Sequence, residues 1–355
     1  MYYYILILLS FVSFQLRNLK IKNQATYLLA NSYVFFFLIF FISSLRYNVG
    51  TDFFSYQKIF TNDNPIEPLF FLLIQAIKTI NGNYQLFVFI VFLLSFGFKL
   101  YSFSKLSYSK GFFLTVMLFC SFYYIAYDMN AIRQGLALAS TLLACYYAYI
   151  KKKTRFYVTC IAATLVHYTA FVFLPFYILL DIKITKKVSI LICLACILLS
   201  LYGIFDILIN ISTSILGNNI IAYQIKAYSV AEGFANNLLI SSSTIRRLFF
   251  FALILFSYEK IDAPNRIKQI IFWGGFISII IYILFAEVGY FSTRLSVYYR
   301  ITECIWLSYF PFIFKKKNTK YIIITFYFLY SLLQVHSALT AENNNLLPIQ
   351  TFIFK

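Results

Sequence analysis

The chain has 355 residues, a formal net charge of +18, 61% hydrophobic residues and only 12% charged ones. A soluble domain carries about 25% charge, so this composition suits hydrocarbon as its solvent and excludes a water-soluble globular enzyme. The positive charge does not mark a nucleic-acid binder, because the cations sit in short clusters at the ends of apolar stretches and form no basic domain or arm.

A helix crosses the hydrocarbon core with about 20 apolar residues. In chain order, spans are expected near 2–16, 27–45, 84–98, 111–127, 132–150, 188–204, 246–258, 269–287, 295–314 and 320–336. The first stretch lacks a basic leader and a small-residue cleavage site, and is expected to be retained as a span. Between the stretches lie Arg17/Lys20/Lys22, Lys99/Lys105/Lys110, Lys151/Lys152/Lys153/Arg155, Lys183/Lys186/Lys187, Lys260/Arg266/Lys268 and Lys315/Lys316/Lys317/Lys320. Short loops rich in Lys and Arg stay cytoplasmic. Outer loops then fall at about 46–66, 128–131, 205–245, 288–294 and 337–355, and the chain forms one polytopic domain over 1–355. Nearly all the acids fall on the outer side, including Asp52, Asp63, Glu67, Asp128, Asp206, Glu232, Glu287 and Glu342, with Asp128 at the rim.

Two segments do not fit a simple crossing. Residues 67–80 are apolar but short, and Lys99 requires the cytoplasm after the next span; a re-entrant or interfacial helix on the outer side satisfies both, opened by Glu67-Pro68 with Pro at a first-turn position. Residues 156–182 have basic clusters at both ends, so the segment is expected to enter and return as two short helices with His167-Tyr168-Thr169 near the turn; one long tilted span is the alternative. The loop at 205–245 is expected to hold helices lying on the membrane. The fold class is therefore all-α, a polytopic integral membrane protein with about 10–12 transmembrane helices plus short re-entrant or interfacial ones.

Cations near the outer face run against the topology signal and point to chemistry. Arg46, Arg133, Arg246, Arg247, Arg294 and Arg300 are such residues. A guanidinium is a planar fork of donors suited to phosphate and carboxylate. Arg300 is expected to pair with Glu303 at i+3, and Arg246 and Arg247 either snorkel to headgroups or bind substrate. For Arg46, Arg133 and Arg294 a functional role is expected, since ionisable groups in spans are functional by default. Asp52 follows a Gly50-Thr51 turn and is either a helix cap and partner for Arg46 or a carboxylate that deprotonates a sugar hydroxyl. Glu67 is expected to be a first-turn helix charge. His167 is either a satisfied core histidine or a group acting at a helix break, and His336 is expected at the interface. Scattered carboxylates and two distant histidines offer no metal site, and no nucleotide fingerprint or nucleophile elbow is present. The six cysteines lie inside apolar stretches and read as small buried hydrophobes, including the Cys193/Cys196 pair.

The chain resembles the EpsG family of bacterial polysaccharide polymerases, relatives of Wzy-type O-antigen polymerases. The matching pieces are Arg46-Tyr-Asn-Val-Gly-Thr-Asp52-Phe-Phe-Ser-Tyr56, Glu67-Pro68-Leu-Phe70, Asn130-Ala-Ile-Arg133-Gln134-Gly-Leu-Ala137, His167-Tyr-Thr-Ala, Arg294-Leu-Ser-Val-Tyr-Tyr299 and Leu347-Pro348-Ile-Gln-Thr351. They stand in family order and span nearly the whole chain. Tyr298-Tyr299 departs from the Tyr-Phe expected there, and the large soluble insert of some related transferases is missing.

The resemblance implies a polymerase in the cytoplasmic membrane of a bacterium, similar to the membrane-embedded C-type glycosyltransferases. It implies the joining of undecaprenyl-pyrophosphate-linked repeat units on the outer side, for O-antigen, capsule or exopolysaccharide. The implied partners are the lipid-linked donor and acceptor and membrane lipids, with room for a chain-length regulator protein and no cofactor. Asp52 or His167 would take the proton of the attacking hydroxyl. Arg46, Arg133 and Arg294, with Asn130, Gln134, Glu67, Arg247 and Tyr298, would bind pyrophosphate or glycan. A flippase for the same lipid would use cationic cavities reachable from both sides. A glycan O-acyltransferase would need a polar cluster near the inner leaflet, and a ligase would differ only in its acceptor.

Overall fold

The computed structural model describes residues 2–18, 45–63, 66–203 and 241–341, with single positions at 30, 34, 207, 239 and 346. Every element among them is helical. In chain order these are α1 (Tyr2–Asn18), α2 (Phe53–Asn62), α3 (Pro68–Thr79), α4 (Tyr84–Leu106), α5 (Phe112–Phe119), α6 (Ile132–Tyr149), α7 (Lys153–Val166), α8 (Phe176–Leu179), α9 (Lys186–Leu201), α10 (Ser242–Ser257), α11 (Asn265–Leu284), α12 (Gly289–Arg300), α13 (Thr302–Tyr309) and α14 (Lys317–Thr340). A 3₁₀ turn, Ser109–Gly111, leads into α5, which continues as a π-helical stretch, Cys120–Asn130. Four described helices are long and apolar enough to cross a membrane: Tyr84–Leu106, Ser109–Asn130, Asn265–Leu284 and Lys317–Thr340. The expected span at 27–45, most of the 205–245 loop and the 347–351 piece lie outside the described residues.

The helices fall into two compact units, one of Met1–Leu174, Ile261–Ala263 and Cys304–Lys355, the other of Pro175–Lys260 and Pro264–Glu303. In the first, α6 packs between α4 and α7, and α1 packs on α5 and α14. The central position of α6 follows from its sequence: Ala137, Ala139, Ala144 and Ala148 are fully buried, and small side chains let neighbouring backbones approach where lipid gives no hydrophobic drive. Gly135 belongs to the same surface, since a Cβ there would run into the carbonyl of Tyr127. α14 buries Ile324, Tyr327, Ser331 and Val335 and turns Ile322, Phe326, Leu329 and Leu333 outward, a stripe suited to hydrocarbon. An exposed clasp joins α2 to α3: Lys78 and Gln75 both bond Asp63 at 2.7 Å, which holds its carboxyl below the usual range.

The segment 67–80 forms the short helix expected of it, α3, with Pro68 in its first turn. Within the segment 156–182, residues 156–174 turn back on themselves as a hairpin. α7 ends at His167, whose backbone is extended (φ −153°, ψ 113°), and a 3₁₀ turn, Tyr168–Phe173, follows. The rings of Phe156 and Phe173 lie 6.1 Å apart. On one continuous helix they would stand about 25 Å apart, so the long tilted span is excluded.

Several boundaries differ from expectation. The helix expected over 84–98 continues to Leu106, so Lys99 lies inside a helix, not in a cytoplasmic loop. Residues 128–130 are helical, and the break comes at Ala131 (φ −79°, ψ 63°). Residues expected as outer loop at 289–294 form the start of α12, and α14 runs on to Thr340. The span expected at 295–314 divides into α12 and α13. In the second unit, α11 packs on α9, α10 and α12. Thr185 caps α9 through the Val188 N–H, and Ser241 caps α10 through the Thr244 N–H. Lys186 reaches Glu259 at 2.6 Å and holds that carboxyl below the usual range.

Candidate functional site

The break between the π-helical stretch and α6 gathers most of the expected site residues. Arg46 is 2% exposed and donates through Nη1 to the carbonyls of Asp128 (3.1 Å) and Met129. It thus closes the carbonyl end of the preceding helix, where a cation also complements the helix dipole. The Thr51 N–H donates to Asn130 Oδ1 at 3.2 Å. Gly50 between them has φ +99°, and a Cβ there would lie 2.6 Å from both Asn130 Oδ1 and the Met129 carbonyl. Only glycine allows the loop to sit so close. Asp52 is half-buried at the head of α2, with its carboxylate 3.4 Å from the Thr51 hydroxyl. It makes no side-chain cap to α2 and no bond to Arg46, so neither local role expected for it is present.

In the first turn of α6, Arg133 Nη1 meets Glu67 Oε2 at 2.5 Å. The other Glu67 oxygen accepts the Tyr168 N–H at 3.4 Å. Glu67 is therefore no helix cap: α3 has no side-chain cap bond, and the Glu67 carboxylate ties α6 to the turn that follows α7. His167 is 6% exposed and shares a 2.8 Å hydrogen bond between Nδ1 and the Thr169 hydroxyl. A guanidinium has five N–H donors, and Glu67 uses one of those of Arg133. Among the described residues its buried Nε has no partner, while the side chain as a whole is 24% exposed. The arrangement is a positioned cation held by a carboxylate whose other oxygen accepts the N–H of the residue after His167. Gln134 is 1% exposed and lies in the packed interior of α6.

A charged pair that the sequence does not advertise lies beneath this break. Lys99 is fully buried, and its Nζ lies 2.7 and 2.8 Å from the two Asp128 oxygens and 2.9 Å from Ser95 Oγ. Ser95 also donates to Asp128 at 2.7 Å. Asp128 is thus buried, not at the rim. The signal that was available is the recurrence past Lys99 of apolar residues, Leu100, Phe103 and Leu106, at helical spacing.

In the second unit, Arg247 donates to Ser296 Oγ at 3.2 Å, and its guanidinium carbon lies 3.7 Å from the centre of the Tyr282 ring. Arg294 lies over Tyr290 at the same distance. Tyr298 is fully buried, so it serves the packing of α12.

Long apolar helices, shorter apolar helices and buried ionisable groups define an integral membrane protein with a polar site at a helix break. The chain matches the EpsG family over residues 27–351, essentially its whole length, and belongs to it; this is a Wzy-like polymerase family, which gives the chain a polysaccharide-polymerase type of function. No curated protein matches the chain, and no solved structure does.

Proposed function

We propose that the protein joins oligosaccharide repeat units carried on undecaprenyl pyrophosphate, at the outer face of a bacterial cytoplasmic membrane, and that Arg133 binds the donor's pyrophosphate. The observation that carries this is the Arg133 guanidinium, oriented by Glu67 with donors in reserve. Such a charge, fixed before reaction, stabilises a leaving pyrophosphate without reorganising. A hydroxyl of the acceptor repeat attacks the anomeric carbon of the donor sugar. The bond from that carbon to the pyrophosphate oxygen breaks, the lipid pyrophosphate leaves, and the hydroxyl proton passes to Asp52. Asp52 is placed first because it is half-buried and open to an entering hydroxyl, whereas His167 is only 6% exposed. Holding both lipids in one membrane lowers the entropic cost of their meeting. Arg46 is assigned to the helix end and not to substrate. For Arg294 and Arg247, whose guanidinium planes stack on Tyr290 and Tyr282, substrate binding remains the proposal for their own unit.

The test is Arg133→Ala in cells that display the glycan. Long chains should vanish while single-repeat lipid-linked units accumulate on the outer leaflet. A normal ladder of chain lengths removes Arg133 from the reaction. Units trapped on the inner leaflet would identify a flippase instead.

A further inference from the structure

We propose that the groove between α9 and α10 binds one acyl chain of an anionic phospholipid, with the lipid phosphate at Lys260 and Lys186. The groove has a volume of about 520 Å³ and runs along α9 from Lys186 to Ile197 and along α10 from Leu248 to Phe256, ending at Lys260 just beyond that helix. Its wall is apolar apart from those two lysines, which lie at the same mouth because Lys186 pairs with Glu259, the residue before Lys260.

Length selects the occupant. Lys186 to Ile197 covers about 16 Å of helix, and one leaflet of a hydrocarbon core is about 15 Å deep. A single phospholipid chain fills that length, whereas a polyprenyl tail long enough to cross the bilayer overruns it. Charge selects the headgroup. Lys260 Nζ rests 3.5 Å above the Phe256 ring and has no carboxylate partner among the described residues. α9 also begins at Lys186, so its amino-terminal dipole faces the same mouth. Glu259 offsets one of the two ammonium groups, which leaves a net positive mouth for a phosphate.

Native mass spectrometry of the purified full-length protein tests this, with phosphatidylglycerol, phosphatidylcholine and a long-chain polyprenyl phosphate added in separate arms. Phosphatidylglycerol should bind about fivefold tighter than phosphatidylcholine for each lysine engaged. Lys260→Gln should remove about fivefold of that preference. Ala252→Phe, which fills the groove, should abolish binding; if that variant fails to fold, Ile190→Trp at the exposed rim carries the same expectation. Equal binding of the two phospholipids, or an unchanged preference in Lys260→Gln, overturns the headgroup site. A polyprenyl phosphate that displaces phosphatidylglycerol and is lost in the groove-filling variant overturns the assigned occupant.

Discussion

Removing one member of the Lys99–Asp128 pair should destabilise the protein far more than removing both. Asp128→Ala leaves the Lys99 ammonium fully buried with only Ser95 Oγ at 2.9 Å to accept from it. Breaking a buried pair in this way costs about 3–5 kcal/mol, whereas replacing both members by well-packed apolar residues is often neutral or stabilising. At about 2–4 °C per kcal/mol for domains of 150–250 residues, the single variant should lose about 10 °C of midpoint. Lys99→Met/Asp128→Leu should recover most of that loss. Thermal unfolding of a fluorescent fusion in detergent, read by size-exclusion chromatography, gives all corners of the double-mutant cycle. A double variant as unstable as Asp128→Ala, or a silent Asp128→Ala, would refute the argument.

Gly50→Val forces a branched side chain into φ +99° and against Asn130; it should cost about 1–3 kcal/mol and expose the 46–52 loop to protease. Tyr168→Cys, at an exposed tip position of the hairpin, should react with an impermeant maleimide from outside the cell, and Lys153→Cys only after permeabilisation; the reverse pattern would invert the proposed topology. The depressed Glu259 carboxyl contributes stability above the ordinary carboxylate value of about 4.3 and loses it as pH falls through its lower folded value. Glu259→Gln should therefore lower the midpoint slightly at neutral pH, by well under about 1 kcal/mol for so exposed a pair, and leave it unchanged in strong acid.

Much of the site was readable from residue type and order. Arg133, Glu67 and His167 stand out in sequence because each is ionisable beside an apolar run, and the fold brings them to one break. The partners were less readable. Glu67 at the head of a helix suggests a dipole role, and only the hairpin tip folded over α3 shows that its carboxylate serves two other segments. Lys99 misled because charge-based topology treats every lysine as a loop residue. Its partner lies 29 positions further on, and no local pattern ties the two. The division of 295–314 into α12 and α13 was hidden as well, since an apolar run records total length and not continuity.

The Lys99–Asp128 pair also constrains how the protein enters its membrane. A lysine in an inserting helix costs up to about 2.5–3.5 kcal/mol, the value at the helix centre, and the α4 sequence is complete before Asp128 has been synthesised. Translation order thus delivers the cation to the lipid ahead of its counter-charge. The two segments, 84–106 and 109–130, are separated by only two residues, so partitioning together as a hairpin spares the bilayer an isolated ammonium. Biogenesis of this region is then a joint event, and a nascent chain halted after residue 106 should be retained poorly by the insertion machinery.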